Sequence, residues 1–492
     1  MATTSRKSRP QRAPRESMSR VDTAWLRMER PTNPMMITGV LMFDEPMTLA
    51  QLKRVVRQRF LAYTRFTQRA VDTTAGASWQ WDPDFDIDWH VQLTALPGRA
   101  APVAEKKALQ RLVSQLASTP LEHSRPLWQF HLVERYHGGS ALIARIHHSY
   151  ADGIALVQVL LSLTDTTRVP AKGEGLAQAW LKDDGAGVAH RVGAVGRTMK
   201  LGRTVASKGM EMYRDPTLAA LLAREGGELA KELMNALALP DDPPSLLRGS
   251  LGTSKRVAWA EPLSLDEVRA VGRACGCTVN DVLMATAAGA LRAYMQGRGD
   301  DVDGMTLRAT VPVNLRPLEH ARKLGNHFGL VFLELPVGEA NPIERVARVA
   351  DCMRRIKGSR QAVMAYGLLA ALGIAPPALQ GVALELFSRK ATAVATNVPG
   401  PQQPLYMSGC RLREMMFWVP QTGSIGIGIS IMSYEDRVHF GLIVDGKLVP
   451  DPDAVVQRFG AEFDRLVYLA LMSNWDHPLD AAAARALLPT EA

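Results

Sequence analysis

Apolar residues along this chain fall into two patterns, short alternating or continuous runs that fit strands and i, i+3, i+4 spacings that fit helices. The clearest junction between the two is Leu142-Ile-Ala-Arg-Ile-His147-His148-Ser-Tyr-Ala-Asp152-Gly153-Ile-Ala-Leu156. Ala141 to Ile146 predicts a strand, and Ile154, Val157, Leu160 and Leu161 repeat at helical spacing beyond Asp152. Before it, Ser19-Arg-Val-Asp22 reads as a helix cap leading to Trp25 and Leu26, and Pro34 to Phe43 as the first strand. Leu52, Val55, Val56 and Phe60 then share one helix face. Trp79 to Trp81 and Phe85 to Leu93 predict strands, 103–117 an amphipathic helix, and Gln129 to Val133 a strand introduced by Arg125-Pro-Leu-Trp128.

Residues 166–250 differ in texture, with Gly- and Asp-rich punctuation between helically spaced segments and few strand signals. They predict a partly helical crossover between two halves. The second half opens with a strand from Arg256 to Ala260. Ser264-Leu-Asp-Glu267 fits a capping box, and Thr278-Val-Asn280-Asp281 starts a helix with Val282, Leu283, Ala287 and Leu291 on its face. Strands follow at Thr306 to Val313, Phe328 to Leu335 and Thr392 to Asn397, a hairpin at 424–444 turns on Glu435-Asp436, and helices are predicted at 342–356 and 454–471. The organisation expected is an arm over 1–18, an α/β domain over 19–165, the crossover over 166–250 and a second α/β domain over 251–492. The uncharged run from Gln361 to Leu384 is long enough to span a bilayer, but Pro376-Pro377, Gly367 and Gly373 read better as two broken helices. These would either line an apolar cavity, touch a lipid surface or form ordinary core.

Composition sharpens this picture in two places. With 492 residues, 47% hydrophobic and 22% charged, the chain has room for large cores and lacks the polarity of a disordered one. A formal net charge of +9 invites a nucleic-acid reading. More than half of it, however, sits in residues 1–20, where Arg6, Lys7, Arg9, Arg12, Arg15 and Arg20 face Glu16 alone. The body is therefore only mildly basic, and no nucleic-acid partner is expected. The arm lacks the apolar segment of a secretory signal, and its cations would each add about 1 kcal/mol of attraction close to an anionic membrane surface. Four cysteines are too few for a disulfide framework, and Cys275-Gly-Cys277 without a second matching pair reads as a helix end.

The chemistry best suited to the strand-to-helix junction is proton transfer. Neighbouring strand residues point to opposite faces, so His147 and His148 diverge and only one can meet a substrate. The same divergence disfavours a shared metal. A blander reading stands beside it, with Asp152 as a helix cap and one histidine as packing. No GxSxG is present, and Gly441-Leu-Ile-Val-Asp-Gly446-Lys447-Leu448 mimics a phosphate-binding loop but has Leu at the metal-binding hydroxyl position and lies in a strand.

Taken together, several motifs in order resemble the bacterial wax ester synthase/diacylglycerol acyltransferase family, within the chloramphenicol-acetyltransferase-like superfamily. They are Asp84-Phe-Asp-Ile-Asp-Trp-His90-Val, Arg125-Pro-Leu-Trp128, His147-His148-Ser-Tyr-Ala-Asp152-Gly153, Val279-Asn280-Asp281-Val282, Val311-Pro-Val-Asn-Leu-Arg316-Pro317, Gly325-Asn326, Thr396-Asn397-Val-Pro-Gly-Pro401 and Arg437-Val-His-Phe-Gly-Leu442. Met36 stands where the family usually shows His. The resemblance implies two α/β domains side by side with a tunnel between them, and His148 as the base with His147 as its companion. Asp152 would be structural and paired with Arg316 from the other half. Asn280 is the first polar candidate at the reacting centre, with Gly153, Thr396 and Asn397 as substrate-binding positions. It further implies acyl-CoA as co-substrate with no resident cofactor, a long-chain alcohol or diacylglycerol as acceptor, and a cytoplasmic protein that can sit peripherally at the inner membrane or at lipid inclusions. An acyltransferase of the same fold with another acceptor, and a non-catalytic lipid-binding protein, are the alternative readings. The oligomeric state is not legible.

Overall fold

In the first half, strand period and burial agree. The computed structural model of the chain describes residues 15–73, 76–97, 101–169, 239–315, 324–357 and 377–473, with residues 362, 365, 366 and 479. Its first-half elements are β1 (Glu16–Ser17), α1 (Arg20–Met28), β2 (Met36–Phe43), α2 (Leu49–Val55), β3 (Gln68–Thr73), β4 (Gly76–Trp81), α3 (Ile87–His90), β5 (Val91–Leu93), α4 (Pro102–Ser118), β6 (Trp128–Tyr136), β7 (Gly139–His147) and α5 (Gly153–Leu161). Every residue of β2 and β7 is buried, as expected for strands covered on both faces. Arg145 is tolerated inside β7 because its guanidinium donates to Gln129 Oε1 at 2.8 Å and to the Thr119 carbonyl.

The second half contributes β8 (Lys255–Trp259), β9 (Leu263–Ser264), the helices Leu265–Ala274 and Val279–Gln296, β10 (Leu307–Asn314), β11 (Phe328–Leu335), the helices Pro342–Lys357 and Pro377–Ser388, β12 (Ala393–Pro399), β13 (Tyr406–Met407), β14 (Cys410–Trp418), β15 (Ile427–Tyr434), β16 (Arg437–Asp445) and the helix Pro452–Met472. A six-stranded sheet runs β13-β14-β2-β7-β6-β5 and a seven-stranded one runs β11-β10-β12-β15-β16-β8, with β9 on β16. A small β1-β4-β3 sheet stands apart. The sheets are mixed, parallel at β5-β6, β10-β12 and β12-β15. The result is a pair of α/β layers, as the motifs implied.

Alternation decides what joins them. Val40 and Met42 on β2 and Ala141 and Ile143 on β7 face one way, meeting Leu109 and Val113 of α4 together with Val257, Trp259 and Ile443 of the second sheet. Leu41, Phe43, Leu142 and Ile146 face the other way, onto Leu52, Phe60, Leu156 and Leu160. A buried polar tie crosses the same junction. Lys255 Nζ donates to Asn33 Oδ1 at 2.7 Å and lies 3.6 Å from Asp445, while Asn33 Nδ2 donates to the Gly423 carbonyl at 2.9 Å.

Four expectations change. Phe85 to Leu93 was expected as one strand, but Asp86 Oδ1 accepts from Asp88 N (2.8 Å) and caps the turn Ile87–His90, leaving only Val91–Leu93 extended. Strand β14, unread in the sequence, leaves the second half and pairs with β2, Leu412 opposite Phe43 and Trp418 opposite Thr38. A bulge lies at Leu412/Glu414, where Arg411, Arg413 and Glu414 interrupt the apolar run. Glu16–Ser17, read as part of the arm, pairs with Ser78 and Trp79, and Met18 beside them is buried. The helix through Leu52 widens into a π turn at Val56–Phe60, closed by Leu61 N donating to the Val56 carbonyl. Most of the basic arm, most of the crossover and most of the run from Gln361 to Leu384 lie outside the described residues. No single helix among the described residues is long and apolar enough to cross a membrane. The helices Leu265–Ala274 and Val279–Gln296 pass together on length and composition, but they bend by 95° and line the second core. Cys275 and Cys277 sit at that bend, a helix end as read, with Gly276 at φ +64°.

That core holds one ion pair whose removal is informative. Arg345 Nη1 donates to Glu462 Oε2 at 2.8 Å, and its other nitrogens reach the carbonyls of Glu339 and Ala340. Gly289 lies over the pair so closely that an added Cβ would come within 2.2 Å of Arg345 Nη1. Arg345→Met is expected to cost at most about 3–5 kcal/mol in urea unfolding, because buried Glu462 loses its buried cation and keeps only the exposed Arg465, 3.1 Å from its Oε1. A loss below about 1 kcal/mol would show the pair to be dispensable.

Candidate active site

The strand-end histidines diverge as strand geometry requires. His147 closes β7 opposite Met36, and its ring turns into the first half. Nδ1 accepts the Ser149 backbone N–H at 3.1 Å, with Ser149 Oγ at 2.8 Å, which places the ring proton on Nε2, 3.7 Å from Glu29 Oε2. Glu29 in turn contacts His123 Nε2 at 2.6 Å. Burial pushes the His147 imidazole down to about 4, with Glu29 opposing and the neighbouring histidines adding to the drop.

His148 turns the other way. Its backbone N–H donates to the Met35 carbonyl at 2.7 Å, and its ring stacks on Trp25 with centroids 4.1 Å apart and planes 21° apart, with Phe328 at 5.7 Å. Only 3% of the residue is exposed. Burial again pushes its imidazole down to about 4, with the Asp152 carboxylate, its own carbonyl and the Asn326 side chain pulling it up. A neutral ring is therefore held at the seam between halves, flanked by Trp25 of α1 and Phe328 of β11.

Asp152 is the cap of α5, Oδ1 accepting from Ala155 N at 2.9 Å, but it does more than cap. Its Oδ2 accepts from His327 N at 3.2 Å, and its own N–H approaches the Gly325 carbonyl at 3.4 Å. Gly325 N donates to the Tyr150 carbonyl at 2.9 Å, so the histidine turn is laced to a loop of the second half. The Arg-Pro-Leu-Trp segment anchors its other side. Leu127 N donates to Tyr150 Oη at 3.0 Å, His147 N to the Leu127 carbonyl, and Trp128 Nε1 to the Phe66 carbonyl. Gly153 starts α5 against Val419, whose Cγ1 would lie 3.2 Å from an added Cβ, so the glycine permits a close packing contact. Arg316, the expected partner of Asp152, lies outside the described residues.

The second-half candidates form their own pair. Asn397 Nδ2 on β12 donates to Asn280 Oδ1 at 2.8 Å, leaving the Asn280 amide nitrogen as its donor. Asp281 beside it is spent on the capping box, accepting from Thr278 N at 2.9 Å and Oγ1 at 2.7 Å. Thr396 is buried and its hydroxyl donates to the Ile429 carbonyl at 3.3 Å, so its proton is committed within the sheet.

Sequence reasoning did not single out the groups that touch His148. Trp25 and Asp22 had been read only as parts of a capped helix, and Asn326 only within a Gly-Asn motif. Asp22 Oδ1 accepts from Asn326 N (3.0 Å) and Asn326 Nδ2 (2.8 Å), and the same Nδ2 donates to the His148 carbonyl at 2.8 Å. Burial raises the Asp22 carboxyl, with the bonds from Asn326 and Ser19 opposing. The capping serine and the Gly-Asn dipeptide are the signals that point to these positions.

Comparison with known proteins agrees with this arrangement. The family model for the wax ester synthase/diacylglycerol acyltransferase catalytic domain matches residues 18–283, and that for the WS/DGAT C-terminal domain matches residues 324–467. A Mycobacterium tuberculosis protein named probable diacylglycerol O-acyltransferase tgs2 is 30% identical over 463 residues, covering 87% of this chain and 94% of that one. Among solved structures, the wax ester synthase/diacylglycerol acyltransferase from Marinobacter aquaeolei VT8 superposes with a TM-score of 0.66 at 23% identity, covering 93% of this chain and all of that one. The starter condensation domain of rhizomide synthetase, solved with C8-CoA and Leu-SNAC, superposes at 0.55 with 12% identity, over 93% and 94% of the two chains.

Proposed function

This chain belongs to the wax ester synthase/diacylglycerol acyltransferase family and is an acyl-CoA-dependent acyltransferase, and on that premise we propose that His148 is its general base and a long-chain alcohol or a diacylglycerol its acceptor. The observation that carries the assignment is the buried, neutral His148 ring at the seam between the halves, beside the only histidine of the motif that is otherwise engaged. An acyl-CoA thioester is already activated, so the protein's task is to align a hydroxyl and remove its proton. Nε2 of His148 takes that proton as the hydroxyl oxygen bonds to the thioester carbonyl carbon. The C–S bond then breaks, and the proton passes from the imidazolium to the departing CoA thiolate, leaving ester and free CoA. The Asp152 carboxylate, close to the ring, favours the transient imidazolium that burial opposes. The Asn280 amide nitrogen is the donor proposed for the tetrahedral oxyanion.

Support for lipid acceptors comes from the name of the tuberculosis relative and of the Marinobacter structure. Such acceptors reside in membranes or lipid inclusions, and a cytoplasmic protein with a basic arm is suited to working at those surfaces. CoA release from palmitoyl-CoA, followed separately with hexadecanol and with a diacylglycerol, tests the reading. Release that depends on either acceptor, with the matching ester formed, is expected, and the ratio of the rates ranks the two. Silence with both would remove the acceptor assignment.

A further inference from the structure

The bend between the helices Leu265–Ala274 and Val279–Gln296 carries two thiols just ahead of Asn280, and neither has a part in the proposed acyl transfer. Cys275 N donates to the Val271 carbonyl at 2.9 Å. Gly276 N then donates to the Arg273 carbonyl at 3.1 Å and Cys277 N to the Gly272 carbonyl at 2.8 Å, the two bonds that end a helix on a left-handed residue. Gly276, at φ +64°, is that residue. It sets the flanking Cα atoms about 5.4 Å apart, the i to i+2 spacing of a helical backbone of either hand. Disulfides span Cα separations of about 4.4–6.8 Å, so the turn already holds its two cysteines at bonding range. Both are half-buried and free, whereas Cys352 and Cys410 are buried. Contact between the side chains pushes the Cys275 thiol down and the Cys277 thiol up, while burial pushes Cys352 and Cys410 up. The thiolate that meets an oxidant therefore forms most readily at Cys275.

The chain is packed in place up to this turn. Leu479 N donates to the Ala274 carbonyl at 2.7 Å, and a Cβ on Gly272 would come within 3.1 Å of the Cys277 carbonyl. Beyond it the next helix starts on the capping box, Thr278 N donating to Asp281 Oδ2 at 2.9 Å and Asp281 N to Thr278 Oγ1 at 3.3 Å. Asn280 lies inside that box, joined to Asn397 at 2.8 Å. The covalent ring closed across a single residue is small, and the dihedral near 90° that a disulfide demands has to be met at Cys277, next to the cap. We infer that Cys275 and Cys277 are an oxidation site: a peroxide converts them to a disulfide, which loosens the cap at Thr278 and draws Asn280 off the reacting centre until a thiol reductant reopens the bond. The last link rests on the reading of Asn280 as the oxyanion donor. In the step itself the Cys275 thiolate attacks one peroxide oxygen and the O–O bond breaks. The hydroxide released takes the proton the thiol had lost, leaving a sulfenic acid and water. The Cys277 sulfur attacks the Cys275 sulfur, the S–O bond breaks, and that hydroxide leaves as water with the Cys277 proton. The sulfur pair loses two electrons, and one peroxide becomes two waters.

Full-length protein treated with hydrogen peroxide, then denatured, alkylated and digested, reads the bond by mass. The peptide holding Cys275 and Cys277 is expected to be lighter by two hydrogens and to take no label, while Cys352 and Cys410 are labelled in full. Amide exchange over Thr278 to Val282 should quicken about tenfold on oxidation. Ester formation from palmitoyl-CoA and hexadecanol should lose about tenfold in kcat, with the KM for palmitoyl-CoA within about twofold, and dithiothreitol should restore both readouts. Cys277→Ser and, independently, Cys275→Ala are expected to keep the untreated activity within about twofold and to lose the reversible response. Label on both cysteines after peroxide overturns the site. A disulfide that leaves exchange at Thr278 to Val282 unchanged overturns the coupling, whatever kcat does. Faster exchange with unchanged kcat overturns the control of activity, and Asn280→Ala then shows which link failed. Its kcat should fall about 10²–10³-fold if Asn280 serves the oxyanion and stay near wild type if that reading is wrong. Mass and exchange are read whether or not either acceptor is turned over, so an inactive wild type removes the acceptor assignment and leaves this site to those two measurements.

Discussion

Replacing His148 by glutamine is expected to lower kcat/KM for acyl transfer by about 10³-fold while the KM for acyl-CoA stays within about threefold. General-base assistance contributes about 10²–10⁴-fold in enzymes of this chemical kind, and the middle of that range suits a reaction whose electrophile is already activated. Glutamine keeps most of the volume that the ring fills beside Trp25 and Phe328, so the loss reads on proton transfer more than on collapse of the seam. His147→Gln is the matching control. Its ring is turned toward Ser149 and Glu29, so its removal should reach activity only through the shape of the turn, with a smaller fall. Single-turnover CoA release with each acceptor, alongside circular dichroism of the variants, makes the comparison. Activity of His148→Gln within about tenfold of wild type would end the assignment of the base.

The fold was legible where one element answers to one run of residues. β11 begins and ends at Phe328 and Leu335 as its apolar run does, and β7 extends the predicted run by two residues at its start and one at its end. The run at Phe85 to Leu93 failed because Phe85, Ile87 and Trp89 alternate as a strand would while Asp86 offers the backbone a competing cap. β14 was invisible for a tertiary reason. Arg411, Arg413 and Glu414 look like a loop until the bulge that turns them outward is known, and the partner strand β2 lies more than 360 residues earlier.

The site shows the same division. Period 2 sufficed to separate His147 from His148, and Asp152 before Gly153 was readable as a cap. What holds His148 was not readable, because Trp25, Asp22, Phe328 and Asn326 come from α1 and from a loop and strand of the second half. A single sequence records no pairing across 304 positions. The motif marks the ring proposed as the base, while the residues packed against it belong to the seam.

Acidification is expected to unfold this protein well above the pH at which carboxylates ordinarily titrate. Five histidines, His90, His131, His147, His148 and His439, are buried and pushed down to about 4, whereas an unfolded histidine titrates near 6.5. Between those values the unfolded chain binds more protons than the folded one, so stability rises with pH there and is lost as pH falls from about 6.5 toward 4. At pH 5.5 each such histidine costs about 1.4 kcal/mol relative to neutral pH, and all five together at most about 7 kcal/mol, a large part of the roughly 5–15 kcal/mol that folded proteins possess. Some groups work the other way. The His123 imidazole is raised by Glu29, and Asp22, Asp242 and Glu414 are raised by burial, so each binds protons more readily when folded and offsets part of the loss. Thermal melts at pH 7.5, 6.5, 5.5 and 4.5 should therefore show a midpoint that drops steeply below pH 6.5, and a flat midpoint from pH 7.5 to 5.5 would refute the account. His439 isolates one contribution, since both its ring nitrogens are buried without hydrogen-bond partners and it stands on β16, opposite Met432 of β15. His439→Leu is expected to stabilise the protein at pH 5.5 by about 1.4 kcal/mol more than at pH 7.5, with activity at pH 7.5 retained. The same shift bears on the pH–rate profile. A His148 that stays neutral down to about 4 leaves the base competent through the range where the fold fails, so an acid limb above pH 5 should coincide with the melting midpoint and follow the His439→Leu variant to lower pH.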